Sequence, residues 1–227
     1  MTALSASITN RWAAGDGGLS AGENSITESQ ALQAMPEVGI YEIELGPCTY
    51  EVERVGARYC SVADLRAYAE RNADSFGDPA KCPDDTVLSA IQAAEETIEE
   101  CTRRSFCGRA VEVGLVGGGV LEELPVQDAR SISEGVLIGD RQARADAPCT
   151  ARVVYGARCT ESIRRATCKL AASYLRARAG AENARGQSVD GVYISWELAT
   201  GDEGSWTGIP EVDAAIQRAI SRRAVVA

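Results

Sequence analysis

Polar and apolar positions alternate with two different periods along this chain, and the change of period marks its elements. VGIYEIEL (38–45) and TYEVERV (49–55) alternate residue by residue, and Gly46-Pro47 lies between them, which predicts a β-hairpin. Ahead of it, a short helix is expected over 26–35, with Ser25 and Glu28 at capping-box spacing and Pro36 as its stop. From Ser61 the period becomes helical: SVADLRAYAERN predicts a helix capped by Ser61 and Asp64. A loop (75–85) leads to the clearest helix, about 84–104, where Val87, Ile91, Ala94, Ile98 and Cys101 share one face. Glu95, Glu96, Glu99 and Glu100 fall opposite, and Arg103 and Arg104 follow as i,i+4 partners of the last two.

Residues 110–156 return to strand character in VEVGLV, VLEEL, EGVLIG and ARVVYG, with Gly117-Gly118-Gly119 expected as a turn between the first two. A second long helix is expected over 161–179. Ile163, Thr167, Leu170, Tyr174 and Ala177 form its apolar face, Arg164, Arg165, Lys169, Arg176 and Arg178 make it basic, and Gly180 is its natural stop. GVYISWELA (191–199) reads as a strand, and IPEVDAAIQRAISRR (209–223) as an amphipathic helix with Pro210 in its first turn. The expected fold class is α+β and mainly helical: a bundle of amphipathic helices with a small antiparallel β-element and extended N- and C-terminal arms. Three regions follow: an N-terminal extension over 1–60 with a hairpin, a core over 61–180 with a β-insertion at about 110–156, and a partner-contacting strand, loop and helix over 181–227. Residues 1–24, rich in Gly, Ala and Ser, read as an arm with little core of its own.

Composition narrows the function. With 33 acidic and 23 basic residues the chain carries a net charge of -10, which argues against a duplex-DNA binder and suits a conduit that nucleic acid passes without sticking. Its 227 residues contain no histidine, so neither a Cys–His nucleophile pair nor an ordinary Cys/His zinc site can be assembled. None of the eight cysteines forms a C-x-x-C pair. The opening MTALSASITNRW has neither a basic nor an apolar leader segment, so the cysteines are expected as reduced, small buried hydrophobes. No apolar run is long enough to span a bilayer. The triple glycine lacks the Lys-Ser/Thr of a phosphate loop, since Val120, Leu121 and Glu122 follow it. The carboxylate cluster at 95–100 reads as a solvated or interface face rather than as an acid–base pair. Trp196 and Trp206 read as partner anchors or core rather than as ligand-stacking residues. No catalytic residue, cofactor or metal site is expected.

The order of these pieces carries a resemblance. DLRAYAE (64–70) leads through PDDTVLSAI (83–91) into a long helix ending in TRRSF (102–106). A β-segment closes on ARVVYG (151–156), IRRATCKLAASYLRAR (163–178) follows, and TGIPEVDAAI (207–216) comes late. Over roughly 61–223 this order resembles the head–tail adaptor (connector) family of long-tailed bacteriophages and phage-like particles, most of all in IQAAEETIEECTRRSF (91–106) and TGIPEVDAAI. The resemblance implies a structural virion subunit of the neck, assembled in the host cytoplasm. It would form a homo-oligomeric ring, usually dodecameric, docked between the portal protein and a stopper or tail-completion protein. That ring would extend the DNA channel and let genomic DNA pass without sequence-specific binding, with no membrane partner. By the same resemblance, Trp206, Ile209, Pro210 and Val212 are expected to meet the portal or a neighbouring subunit. The acidic and basic helices suggest Glu99, Glu100, Arg164 and Arg165 as inter-subunit charge contacts. The alternatives are a small terminase subunit, which should carry a basic helix-turn-helix, and another packaging or neck component.

Overall fold

The computed structural model describes residues 10–181, 187–189, 192–194 and 206–221. The helices are α1 (Glu28–Ala34), α2 (Val62–Asn72), α3 (Asp84–Thr102), α4 (Glu161–Ala181) and α5 (Pro210–Ser221), with a 3-10 turn at Ser75–Gly77. The strands are β1 (Asn10–Trp12), β2 (Leu19–Ala21), β3 (Asn24–Ile26), β4 (Gly39–Leu45), β5 (Cys48–Arg54), β6 (Arg109–Leu115), β7 (Leu121–Glu123), β8 (Ala129–Ile132), β9 (Val136–Ile138), β10 (Gln142–Arg144), β11 (Cys149–Tyr155), β12 (Gln187–Val189) and β13 (Val192–Ile194). The fold is α+β, but its strands are more numerous than a mainly helical reading allows. They form the small sheets β1-β5-β4, β7-β10-β9, β6-β11-β8, β12-β13 and β2-β3.

Two compact units result, one of Met1–Arg58 with Arg104–Arg158 and one of Tyr59–Arg103 with Cys159–Ala227. This grouping cuts across the three regions drawn from composition, because the 110–156 strands belong with the N-terminal residues and the helices after Ser61 with the C-terminal ones.

In the first unit β4 and β5 pair antiparallel with Leu45 opposite Cys48, so Gly46-Pro47 is a two-residue turn, and Gly46 takes the positive φ that such a turn requires. Tyr41, Ile43 and Leu45 face inward with Tyr50 and Val52, onto Trp12, Ala31 and Met35. Trp12 is only 2% exposed, its indole N–H donates to the Gly17 carbonyl at 3.0 Å, and β1 runs parallel to β5 beside it. The segment 10–26 is therefore core and sheet rather than an arm. The capping box of α1 is Thr27 with Gln30, not Ser25 with Glu28, because Ser25 lies in β3 opposite Ser20.

The triple glycine is not a hairpin turn. β6 pairs with β11 and β7 with β10, so the glycines carry the chain from one sheet to another. All three have φ between 71° and 79°, and a Cβ on Gly117 would lie 2.2 Å from the Ala147 carbonyl carbon. Gly117→Ala is expected to cost about 2 kcal/mol or more, since the strained φ alone costs on the order of 1–3 kcal/mol; a denaturant melt checks it, whereas Gly118→Ala meets open space and retains only the φ penalty.

In the second unit α2 is capped by Ser61 and Asp64 as expected. α3 buries Val87, Ile91, Ala94 and Ile98, and α4 buries Ile163, Thr167 and Leu170. α3 stops at Thr102 because Arg103 turns left-handed, with φ 54°. Arg104 lies past that stop and forms an ion pair with Asp128, so the expected i,i+4 ladder from Glu99 and Glu100 has no helix on which to form. α4 runs through Gly180 to Ala181, where a stop was expected. The strand expected over 191–199 is the β13 residues Val192–Ile194, paired with β12, and Trp196 lies outside the described residues.

Candidate functional site

The charged helix faces of the second unit begin with α3, whose acids do not form one solvated row. Glu95 is 2% exposed and accepts the Tyr59 backbone N–H at 2.7 Å, while Glu99 accepts the Tyr59 hydroxyl at 2.5 Å. α2, α4 and α5 all pack on α3, so its buried arc is wide enough to include position 95. The chain entering α2 presents a donor there that the carboxylate satisfies. Glu96 accepts from Gln92 at 3.1 Å, and Glu100 is exposed. The Tyr59 contacts were not legible from the helical period, which places Glu95 opposite the apolar stripe.

α4 meets α3 through apolar residues and a hydrogen bond of 2.9 Å between Thr97 and Tyr174, not through opposite charges. Arg164 and Arg165 are exposed and share one carboxylate, Glu161 on their own helix, at 3.3 and 3.0 Å. Lys169 pairs with Glu211 of α5, and Arg176 pairs with Asp74 at 2.6 Å. Two open clefts flank α4. One of about 520 Å³ lies against α2 and is lined by Asp64, Tyr68, Arg71, Arg164, Arg165 and Lys169 among others. One of about 440 Å³ lies against α5, between Arg165, Lys169, Glu211 and Arg218.

At the C-terminal segment Trp206 is 42% exposed, Ile209 is half-buried and Pro210 is exposed at the first turn of α5. Asp213 holds the preceding loop, accepting the Thr207 N–H at 2.9 Å and its hydroxyl at 2.7 Å. Val212 is 0% exposed, packed inside the helix layer with Ala215 and Ile216 buried on the same helix. It supports α5 and offers no surface, a correction to the expectation that it meets a partner; the amphipathic pattern that made it conspicuous is the one that buries it.

Three of the thiols of this unit, Cys60, Cys159 and Cys168, lie near one another beside the start of α2 and the first half of α4. Cys60 and Cys168 are both buried and hydrogen-bond to one another; that bond, together with burial, raises the Cys60 thiol well above the ordinary cysteine range, whereas at Cys168 the bond lowers the thiol against the upward push of burial. Burial, then the nearby Glu95 charge, pushes Cys159 up to about 11. None of the eight cysteines forms a disulfide in the structure. Iodoacetamide at neutral pH is expected to label exposed Cys48 first and Cys60 only on unfolding, as peptide mass mapping over a time course would show. Among the described residues no group of three or more Cys, Asp or Glu is arranged to hold a metal, and no helix is long and apolar enough to cross a membrane.

The first unit carries the other conspicuous surface. Val116, Val120, Leu121, Val136 and Ile138 are exposed, Val116 to 74%. Leu121 and Val136 both lie opposite Arg144 in the β7-β10-β9 sheet, and Ile138 lies opposite Gln142, so these aliphatics share its outer face while Ala143 points into the core.

The described residues thus define an α+β protein whose unsatisfied chemistry lies on open surfaces: an aliphatic sheet face, charged clefts along α4, and an exposed tryptophan. Two solved structures are similar to it. One is a chain from "Neck of empty GTA particle computed with C6 symmetry", 18% identical, covering 70% of this chain and 87% of that chain with a TM-score of 0.43. Another is from "Virion of native gene transfer agent (GTA) particle", 19% identical, covering 69% and 87% with a TM-score of 0.44. No family model and no curated protein matches the chain.

Proposed function

We propose that this chain is a non-enzymatic structural subunit of the neck of a phage-like particle, an adaptor that closes into a dodecameric ring between the portal and the stopper or tail and extends the DNA channel. The observation that carries this reading is the exposed aliphatic row Leu121, Val136 and Ile138 on the outer face of the β7-β10-β9 sheet, with Val116 and Val120 exposed in the loop that enters it, the kind of surface that marks an interaction site. The order of motifs from DLRAYAE to TGIPEVDAAI supports the particular assembly. A chain without histidine, acting through surfaces, also fits a passive conduit better than a catalyst. Trp206 and Ile209 are the portal-facing or neighbour-facing residues of this reading, with Pro210 fixing the start of α5 beneath them. The terminase alternative gains nothing from α4, most of whose cations are matched by carboxylates of the same unit.

The test is docking to purified portal rings, imaged by negative stain. The wild-type chain should add a collar to the portal, and Trp206→Ala should weaken docking about tenfold or more, the loss of one anchoring aromatic. Because α5 is core, a point substitution is the informative change here; deleting the tail would remove Ile216 and Val212 from the helix layer. Chains that bind duplex DNA with sequence preference and ignore the portal would contradict the proposal.

A further inference from the structure

The outer face of the β4-β5 hairpin carries a charge pattern that the fold itself does not use. Along that face Glu42 lies directly opposite Glu51, Glu44 lies opposite Thr49, and Ile40 lies opposite Glu53. Glu53 is compensated by Arg109 and Arg11, but Glu42, Glu44 and Glu51 are all exposed and take part in no ion pair among the described residues. Like charges placed directly across a strand pair are destabilising, so an isolated hairpin gains nothing from this ladder. On the second unit the balance is reversed by a small margin: the α2–α4 cleft holds Arg71, Arg164, Arg165 and Lys169 against Asp64, Glu161 and Glu211, and Lys169 is already paired with Glu211. Arg164 and Arg165 share the single carboxylate of Glu161, and Arg71 on the other wall of the α2–α4 cleft has no ion pair among the described residues. Arg165 has 79% of its side chain exposed. The cleft is open and about 520 Å³.

Resting on the ring reading above, we propose that the Glu42, Glu44 and Glu51 ladder of one copy docks along the α2–α4 cleft of the next copy, against Arg71, Arg164 and Arg165. The two faces lie in different units of the chain, carry opposite charge and are not self-complementary. A contact between them can run head-to-tail, the type that propagates from copy to copy and closes into a ring. This assigns the acidic side of the joint to the first unit's hairpin. Of the α3 acids, Glu95 is buried and Glu99 is engaged by Tyr59, so neither is free to serve. Exposed charge pairs across such a joint set register and association rate and are screened by salt.

Charge reversal on each face separately, followed by mixing, tests the contact. One variant is Glu42→Arg, Glu44→Arg, Glu51→Arg; the other is Arg71→Glu, Arg164→Glu, Arg165→Glu. Each alone brings like charge to like at every joint. Its half-assembly concentration in sedimentation velocity should rise at least tenfold over wild type, with an unchanged melting profile. Mixed in equal amounts, the two alternate around the ring with every joint opposite in sign, and assembly should return. If either variant misfolds, the corresponding Gln substitutions replace it and should weaken assembly without blocking it. Single variants that assemble like wild type, or a mixture of well-folded variants that does not assemble, would overturn this contact and leave the ring standing. A wild-type chain that never oligomerises, even with portal present, would instead remove the ring. Low-salt binding of duplex DNA that disappears in the arginine variant while assembly is unchanged would assign the cleft to nucleic acid and overturn the proposal.

Discussion

Glu53→Ala is expected to destabilise the first unit by about 3 kcal/mol, the low end of the range for leaving a buried charge without its partner. Glu53 is 1% exposed in the outer row of β5, and its two oxygens take both ends of the Arg109 guanidinium, with the second contact at 2.7 Å. Arg11 approaches from β1 at 4.0 Å. The carboxylate therefore joins the strand entering from the N-terminus to β6 within one unit. Removing it leaves two guanidiniums whose side chains are only 13% and 15% exposed. Glu53→Gln keeps the shape and part of the hydrogen bonding, so its cost should be smaller. Replacing Glu53 and Arg109 together by leucine should recover much of the loss, because a buried pair is often no better than an apolar substitute. Hydrogen exchange resolved to the β4, β5 and β6 amides is the direct readout, with α3 and α4 amides of the other unit as the internal reference.

Trp12→Ala should cost about 3–5 kcal/mol, the usual loss for deleting a large aromatic from a packed core. The ring sits among Ala31, Met35, Ile43, Leu45 and Val52, and Arg54 lies over it at 6.0 Å. A tryptophan in a mobile arm would change stability by less than about 0.5 kcal/mol on truncation. The size of the effect therefore separates a folded N-terminal segment from an arm that orders only on assembly. The same exchange experiment reads it, with the β4-β5 amides expected to lose protection first.

Glu53 lies in a hairpin that the residue pattern predicts, whereas Trp12 lies where that pattern carries least. The helices were legible because their apolar residues recur at helical spacing over several turns: α3 buries Val87, Ile91, Ala94 and Ile98, and α4 buries Ile163, Thr167 and Leu170, while Cys101 and Tyr174 of the same stripes are half-buried. The β4-β5 hairpin was legible because its alternation flanks a Gly-Pro turn. Trp12 was not, since a three-residue strand among glycines has too few positions to show a period, and its partner β5 lies far along the chain. β8 (ARSI) and β10 (QAR) were missed for the same reason; they are strands because neighbouring backbone pairs with them, not because of their own side chains. The triple glycine was read as joining adjacent partners, but the partner of β6 is β11, a pairing that local spacing does not encode.

The candidate sites divide in the same way. Arg164, Arg165 and Glu100 are exposed as the helical period implies. Glu99 adjoins Glu100 on α3 but is engaged by Tyr59, a residue outside the pattern. Val212 was singled out by its place in the TGIPEVDAAI motif, and that place is structural. The α4 cations are expected to meet α3 of the same chain or of a neighbouring copy; within the chain Arg164, Arg165, Lys169 and Arg176 pair with Glu161, Glu211 and Asp74 instead, because adjacent helices in a packed layer face each other with their apolar residues. Which surfaces remain unsatisfied could be seen only after these internal pairings were known. The hairpin ladder at Glu42, Glu44 and Glu51 is visible in the sequence as alternating acids, yet its lack of compensation is a property of the fold.

The ring is the central claim, and the mass of the assembled species tests it most directly. Native mass spectrometry of the full chain, alone and with portal, should find a closed oligomer of a single defined copy number, dodecameric on this account, that binds portal as a unit. A chain that remains monomeric at every concentration, with portal present, would contradict it.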